Sequence, residues 1–251
     1  MPTDSIPGIL SPALVEQYAA RWLEAVESAD PTALRRSFEA TTPGPAGQPR
    51  RLRALSFSLR QLVQLVSVVG AARFKARFVL LPAAEPAGAA RFALVLAAIN
   101  ALGARVSSYY LAEEYALPAA EDDLTVRADE AATLALGAVP AVLAREWARH
   151  WRRAPQVEPA QFASAYGYLR GYAFELSDLV AVLAGVQSPA AGHLVLHFGL
   201  HEYYHPGPAA GDSLVQLFGL LLQLRGADKG RFSDGGGDPS YDMATPCPPT
   251  C

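Results

Sequence analysis

Four of the five histidines in this chain recur at every fourth position: His193, His197, His201 and His205. On a helix that spacing lines them along one face, where neighbours can share a metal ion. The residues between them argue for a strand instead. Leu194, Leu196, Phe198 and Leu200 alternate with His193, Val195, His197, Gly199 and His201, and a period of two gives an extended chain one apolar and one polar face. At about 3.3 Å per residue, successive histidines stand roughly 13 Å apart, too far for two of them to hold one zinc ion. The expectation is a water-facing strand face rich in histidine, with no metal or cofactor of its own. A metal site there would need a residue from a paired strand or a second chain.

A second alternating run carries cations. Arg73, Lys75 and Arg77 interleave with Phe74, Ala76 and Phe78, which reads as a half-buried strand with a basic outer face. If both runs join one sheet, one side of it collects Arg73, Lys75, Arg77, His193, His197, His201 and His205. Imidazole charge rises below about pH 6.5, so such a face suits an anionic partner in a pH-dependent way.

Other residues of chemical interest have plainer readings. Arg145, Arg149 and Arg153 share one helical stripe, with Trp147 and Trp151 on another face; a solvated basic side and a tryptophan core side account for both. Glu113-Glu114 and Glu121-Asp122-Asp123 fall in a connection, where an acid/base pair lacks the cleft it needs. The chain has no Gly-x-Gly-x-x-Gly, Walker, Gly-x-Ser-x-Gly or His-Glu-x-x-His pattern, so no catalytic residue is assigned. Gly235 to Gly237 lie in a polar tail and read as linker.

The elements that must position these residues follow from patterning. The chain has 251 residues, is 51% hydrophobic and only 18% charged, and contains two cysteines. This composition excludes a disordered chain and a disulfide-stapled scaffold. A net charge of -3 argues against specific nucleic-acid binding. No stretch reaches the roughly 20 apolar residues of a membrane span, and the first residues lack the pattern of a secretory signal. The cytoplasm is the expected compartment.

Ser11-Pro12 and Asp30-Pro31 are helix starts, each a capping residue followed by proline; the second helix should end near Ala40. Helical spacing also covers Phe57 to Val69, Asp129 to Arg152 (interrupted at Pro140), Pro159 to Tyr168 and Phe174 to Val186. Strands are expected at Arg73 to Leu80, Phe92 to Ile99, Val106 to Glu113, His193 to Tyr204 and Leu214 to Leu224.

The halves match each other. Phe57-x-Leu59-x-x-Leu62-Val63 recurs as Phe174-x-Leu176-x-x-Leu179-Val180, 117 residues on. Arg77-Phe78-Val79-Leu80 aligns with His197-Phe198-Gly199-Leu200, and a Pro/Gly turn and an apolar run follow each. Upstream, Trp22, Pro31, Leu34 and Phe38 align with Trp151, Pro159, Phe162 and Tyr166. The expected fold is α+β, a tandem pseudo-repeat. Each half has two or three helices followed by a β-meander, and the meanders share one antiparallel sheet covered by helices. Residues 1–120 form the first repeat, 121–232 the second, and 233–251 a flexible Gly/Pro/Cys tail.

The tail ends Pro246-Cys247-Pro248-Pro249-Thr250-Cys251. It resembles the ends of uncharacterised Bacteroidetes proteins that also carry a hairpin of the type at Val195 to Arg225. The resemblance covers roughly the last 60 residues and implies no activity, cofactor or partner. The sequence therefore favours a non-enzymatic structural or interaction protein that binds a protein or other anionic partner, with room for a homo-oligomer. Its alternatives are a metal-binding protein using the histidines with Cys247 and Cys251, or a hydrolase built on an unrecognised site.

Overall fold

A computed structural model of the chain describes residues 8–28, 30–43, 47–83, 88–117, 139–164, 166–183, 186–188, 192–205, 213–225, 228–229 and 245–246. The elements in the first half are β1 (Ile9–Leu10), α1 (Pro12–Glu27), α2 (Pro31–Ser37), β2 (Ala54–Ser58), α3 (Leu59–Val66), β3 (Arg73–Leu81), β4 (Arg91–Ile99), β5 (Tyr109–Leu111) and β6 (Glu113–Glu114). The second half has α4 (Ala141–Arg153), a 3-10 turn at Pro159–Phe162, β7 (Ala163–Ser164), β8 (Gly167–Tyr168), β9 (Gly171–Glu175), α5 (Leu176–Leu183), β10 (Val186–Ser188), β11 (His193–His205), β12 (Ser213–Arg225), β13 (Asp228–Lys229) and β14 (Thr245–Pro246).

The helix starts are set by local hydrogen bonds. Ser11 Oγ accepts from the Leu14 N–H, and Asp30 Oδ1 accepts from the Thr32 and Ala33 N–H groups. Ser58 ends β2 and also caps α3 in a reciprocal box with Gln61, so strand passes to helix without a loop. The expected helix at Phe57 to Val69 is therefore two elements. Phe174 to Val186 divides in the same way between β9 and α5, and Pro159 to Tyr168 is a 3-10 turn with a two-residue hairpin rather than a helix. The stretch Asp129 to Ala138 lies outside the described residues.

Every pairing between described strands is antiparallel. The larger sheet has the order β1-β5-β4-β3-β9-β14, and a second has the order β12-β11-β2-β6; β10-β13 and β7-β8 are two-stranded. The two long hairpins thus lie in different sheets, which corrects the expectation of one shared sheet. The physical reason is that the second strand of each hairpin, β4 or β12, is largely apolar on both sides. β4 is buried at eight of its nine positions, and such a strand needs cover above and below.

One cover is the opposite sheet. Phe78 and Phe92 meet Phe218 and Phe198 at ring-centroid distances of 5.7 Å each, and Phe38, Trp22, Trp151 and Phe162 complete the same core. The other cover is a helix. Val15, Tyr18 and Ala19 of α1 pack on Val79, Ala93, Val95 and Ala97 of the larger sheet. Ala144, Trp147 and Ala148 of α4 pack around Leu221 of the smaller one. The layers therefore run helix, sheet, sheet, helix. Among the described residues no helix is long and apolar enough to cross a membrane.

Strand pairing crosses between the halves. The first five residues of β11 pair with β2, placing His193 opposite Ser58 and His197 opposite Ala54. The first five of β3 pair with β9, placing Arg73 opposite Glu175 and Arg77 opposite Gly171.

Candidate functional site

The histidine run is extended, as its alternation requires, but the middle of its polar face, at His197 and Gly199, does not meet water. α4 lies across it on Ala144, Trp147 and Ala148, the spacing of one helical stripe. Two glycines opposite each other, Gly199 and Gly219, make the seat. A Cβ on Gly199 would stand 3.0 Å from the Trp147 Cβ, and one on Gly219 would stand 2.2 Å from His201 Nε2. The flat Trp147 ring rests on the His201 ring at 3.8 Å and 17°.

His197 is fully enclosed, with Nε2 3.0 Å from Gln223 Oε1. Burial first, then the positive Arg225, push its pKa down to about 4 against the opposing Gln223 hydrogen bond. Burial alone takes His201 down to about 4. Both rings are neutral near pH 7. His193 is exposed beside the Tyr115 ring, and the His205 side chain lies outside the described residues. The fifth histidine, His150 of α4, sits between Glu202, 3.5 Å from Nδ1, and Glu146, 3.7 Å from Nε2.

Arg73, Lys75 and Arg77 occupy the outward side of the other sheet. Arg77 is clamped by Glu16 of α1 at 2.5 and 3.0 Å; that contact lowers the Glu16 pKa and raises that of Arg77. Burial, and then Arg73 and Arg77 beside it, lower the pKa of Lys75. The single surface expected from Arg73, Lys75, Arg77, His193, His197, His201 and His205 therefore does not form. Outward positions of two facing sheets point away from each other, and a helix covers part of each.

Among the described residues no group of three His, Cys, Asp or Glu side chains is placed to hold a metal ion. Cys247, Cys251 and Glu121 to Asp123 lie outside them. Glu114 accepts hydrogen bonds from Thr41 N–H and Oγ1, a structural role for one of the acidic pairs.

Two further features of the described surface are a long hairpin arm and a run of arginines. The strands of β3 and β4 are nine residues long, whereas those of β11 and β12 are 13. The extra four residues on each side end in Tyr203, Tyr204 and Leu214, which are 43%, 67% and 55% exposed. Gln216 Nε2 donates to Glu202 Oε1 at 2.6 Å across the arm.

Arg50, Arg51 and Arg53 lie on the segment that leads into β2, with Arg50 3.9 Å from Glu114. The Arg53 carbonyl accepts from the Phe198 N–H at 2.9 Å, so this segment continues along β11 past the end of β2, toward the arm. Arg51 donates to the Trp151 carbonyl at 2.6 Å and lies over its ring at 5.4 Å, which brings it to the Arg152-Arg153 end of α4. Burial, then the nearby Arg35, lower the pKa of Arg51. Sequence reasoning passed over these arginines, although the run Arg50-Arg51-Leu52-Arg53 was there to be noticed. Comparison with protein-family models, curated proteins and solved structures finds no match to this chain.

Proposed function

We propose that the chain consists of two copies of one unit that exchange strands, and that it is an interaction protein which grips an acidic partner protein between the β11–β12 arm and the arginine cluster. Several reciprocal contacts support the repeat. β2 with α3 and β9 with α5 are each a five-residue strand followed by an eight-residue helix, spaced 117 residues apart. Trp22 Nε1 donates to the Leu169 carbonyl at 2.8 Å, and Trp151 Nε1 donates to the Leu52 carbonyl at 2.9 Å; Leu52 and Leu169 are also 117 apart. Trp22 meets Phe92 at 5.2 Å as Trp151 meets Phe218 at 5.1 Å. β6 pairs with Leu55 and Ser56 as β14 pairs with Tyr172 and Ala173.

One alignment changes. Tyr166 is 71% exposed where Phe38 is enclosed. Phe162 takes the place of Phe38, since Leu52 N–H donates to Phe38 O and Leu169 N–H to Phe162 O, both at 2.7 Å.

The arm carries the functional reading, because it is a place where the described parts of the halves differ in length. A four-residue extension of each strand buries nothing in the sandwich and sets two tyrosines and a leucine in water. Tyrosine and arginine are the residue types enriched at the energetic centres of protein interfaces, and the arginines select a partner of opposite charge.

A photo-crosslinking residue at Tyr204, compared with one at the 95% exposed Val69, tests this in extracts of the source cells. The expected result is a discrete acidic protein crosslinked from position 204 only, lost with Arg35→Glu/Arg153→Glu and weakened by salt. Equal labelling from both positions, or capture indifferent to the charge reversal, would overturn the reading.

A further inference from the structure

We propose that a second, separate site lies between α2 and the start of β4, and that it binds a small hydroxylated phosphate monoester. A solvent-open cleft of about 300 Å³ is lined there by Arg36, Glu39 and Thr41 on one side and by Arg91 and the Gly88–Ala90 backbone on the other. That volume is at the small end for ligand pockets and suits a molecule of three or four carbons.

Among the described residues, neither the Arg36 nor the Arg91 guanidinium makes a hydrogen bond or an ion pair. Two guanidiniums from different elements line this one cleft, so an anion in it can meet both. Each presents a planar fork of donors. A carboxylate fills one fork, whereas a phosphate monoester offers three oxygens and close to two charges, enough for both. Glu39 sets the other end of the ligand. Its carboxylate would repel a second anion but accepts hydrogen bonds from hydroxyl groups. Thr41 is already held through its N–H and Oγ1 by Glu114, so this wall of the cleft is fixed in place.

The site shares no residue with the arm, and its test is independent of the docking surface. The full chain is titrated calorimetrically at low salt with inorganic phosphate, glycerol 3-phosphate and citrate. Saturable one-site binding of both phosphates is expected, with glycerol 3-phosphate at least about threefold tighter. Charge-assisted hydrogen bonds of this type carry about ten- to a hundredfold in affinity, so Arg36→Ala and Arg91→Ala should each weaken both phosphates by that much. Both arginines are exposed, and an unchanged melting temperature will confirm that the variants fold. Glu39→Gln should abolish the glycerol 3-phosphate advantage and leave inorganic phosphate as tight or tighter. Absence of saturation by tens of millimolar, or unaltered binding in the Arg36→Ala/Arg91→Ala double variant, overturns the site. Citrate binding as tightly as glycerol 3-phosphate overturns the phosphate assignment.

Discussion

Replacing Gly219 with alanine isolates the contact that seats α4. The new methyl would lie 2.2 Å from His201 Nε2 and 2.6 Å from its Cδ2, well inside van der Waals contact. The strand backbone is held on the β11 side by its ladder, so the imidazole must move. It can do so only by leaving the face of Trp147, and a stacked pair of this kind is worth about 0.5–1.5 kcal/mol beyond the area it buries. Overpacking of a filled interior adds about 1–3 kcal/mol. Against this, alanine in a strand gains about 0.5–1 kcal/mol over glycine. The net expectation is a loss of about 2 kcal/mol, within the span of about 0.5–4 that these contributions allow, or about 4–8 °C in Tm for a chain of this size.

Urea titration followed by far-ultraviolet circular dichroism measures the loss, and tryptophan fluorescence reports the Trp147 environment. The decisive comparison is the same substitution in a His201→Ala background. With the ring gone, Gly219→Ala should become neutral or slightly stabilising. Gly199→Ala serves as control, because its methyl meets the Trp147 Cβ at 3.0 Å and the Trp147 backbone carbon at 3.4 Å, contacts that His201→Ala does not relieve. Equal costs for Gly219→Ala with and without His201 would refute the reasoning, because the clash would then lie elsewhere.

Two further outcomes follow from the buried groups. His197 has a folded pKa of about 4 against about 6.5 when unfolded. The unfolded chain therefore binds more protons between these values, and stability present above pH 6.5 falls as pH drops toward 4, by about 3 kcal/mol if the shift is fully expressed. His197→Gln should reduce but not abolish the slope of the urea midpoint across that window, because His201 is also held down to about 4, and an unchanged slope would count against an enclosed, neutral imidazole. Trp22→Phe and Trp151→Phe each strand a buried carbonyl, Leu169 O and Leu52 O respectively, at about 1–3 kcal/mol apiece. Denaturation of the two variants should give costs of similar size, and a gap above about 2 kcal/mol would contradict equivalent places in the fold.

The long hairpins and the first two helices were legible because each leaves a local signature: period-two alternation in β3 and β11, a capping residue with proline ahead of α1 and α2. β2 and β9 were not. Phe57, Leu59 and Leu62, like Phe174, Leu176 and Leu179, satisfy helical spacing although each phenylalanine belongs to a strand. A five-residue strand flush against a helix adds its last apolar residue to the helix pattern. The Ser58-x-x-Gln61 capping box marked the true boundary in the first half. Placing the two hairpins in one sheet failed for a different reason. Alternation says which residues share a side, but which surface covers that side depends on partners more than 100 residues away.

The same limit explains the candidate site. The side of β11 carrying His197 and His201 was identified from sequence, and its burial was not, because polar residues on an alternating strand ordinarily mean solvent. The contrary signal was glycine. Gly199 and Gly219 interrupt two otherwise bulky strands, and glycine inside a strand marks the close approach of something else, here the Trp147 turn of α4. Burial then changes what the histidines can do: neutral, enclosed rings cannot recruit an anion, and the function proposed above rests instead on guanidinium groups, which stay ionised at half-buried positions. On the repeat proposed above, His197 corresponds to Arg77, which lies under α1 as His197 lies under α4. On that proposal both halves cover their central polar residue with a helix, Arg77 in part and His197 fully, and the proposed binding groups are left to the lengthened arm and the arginines ahead of β2.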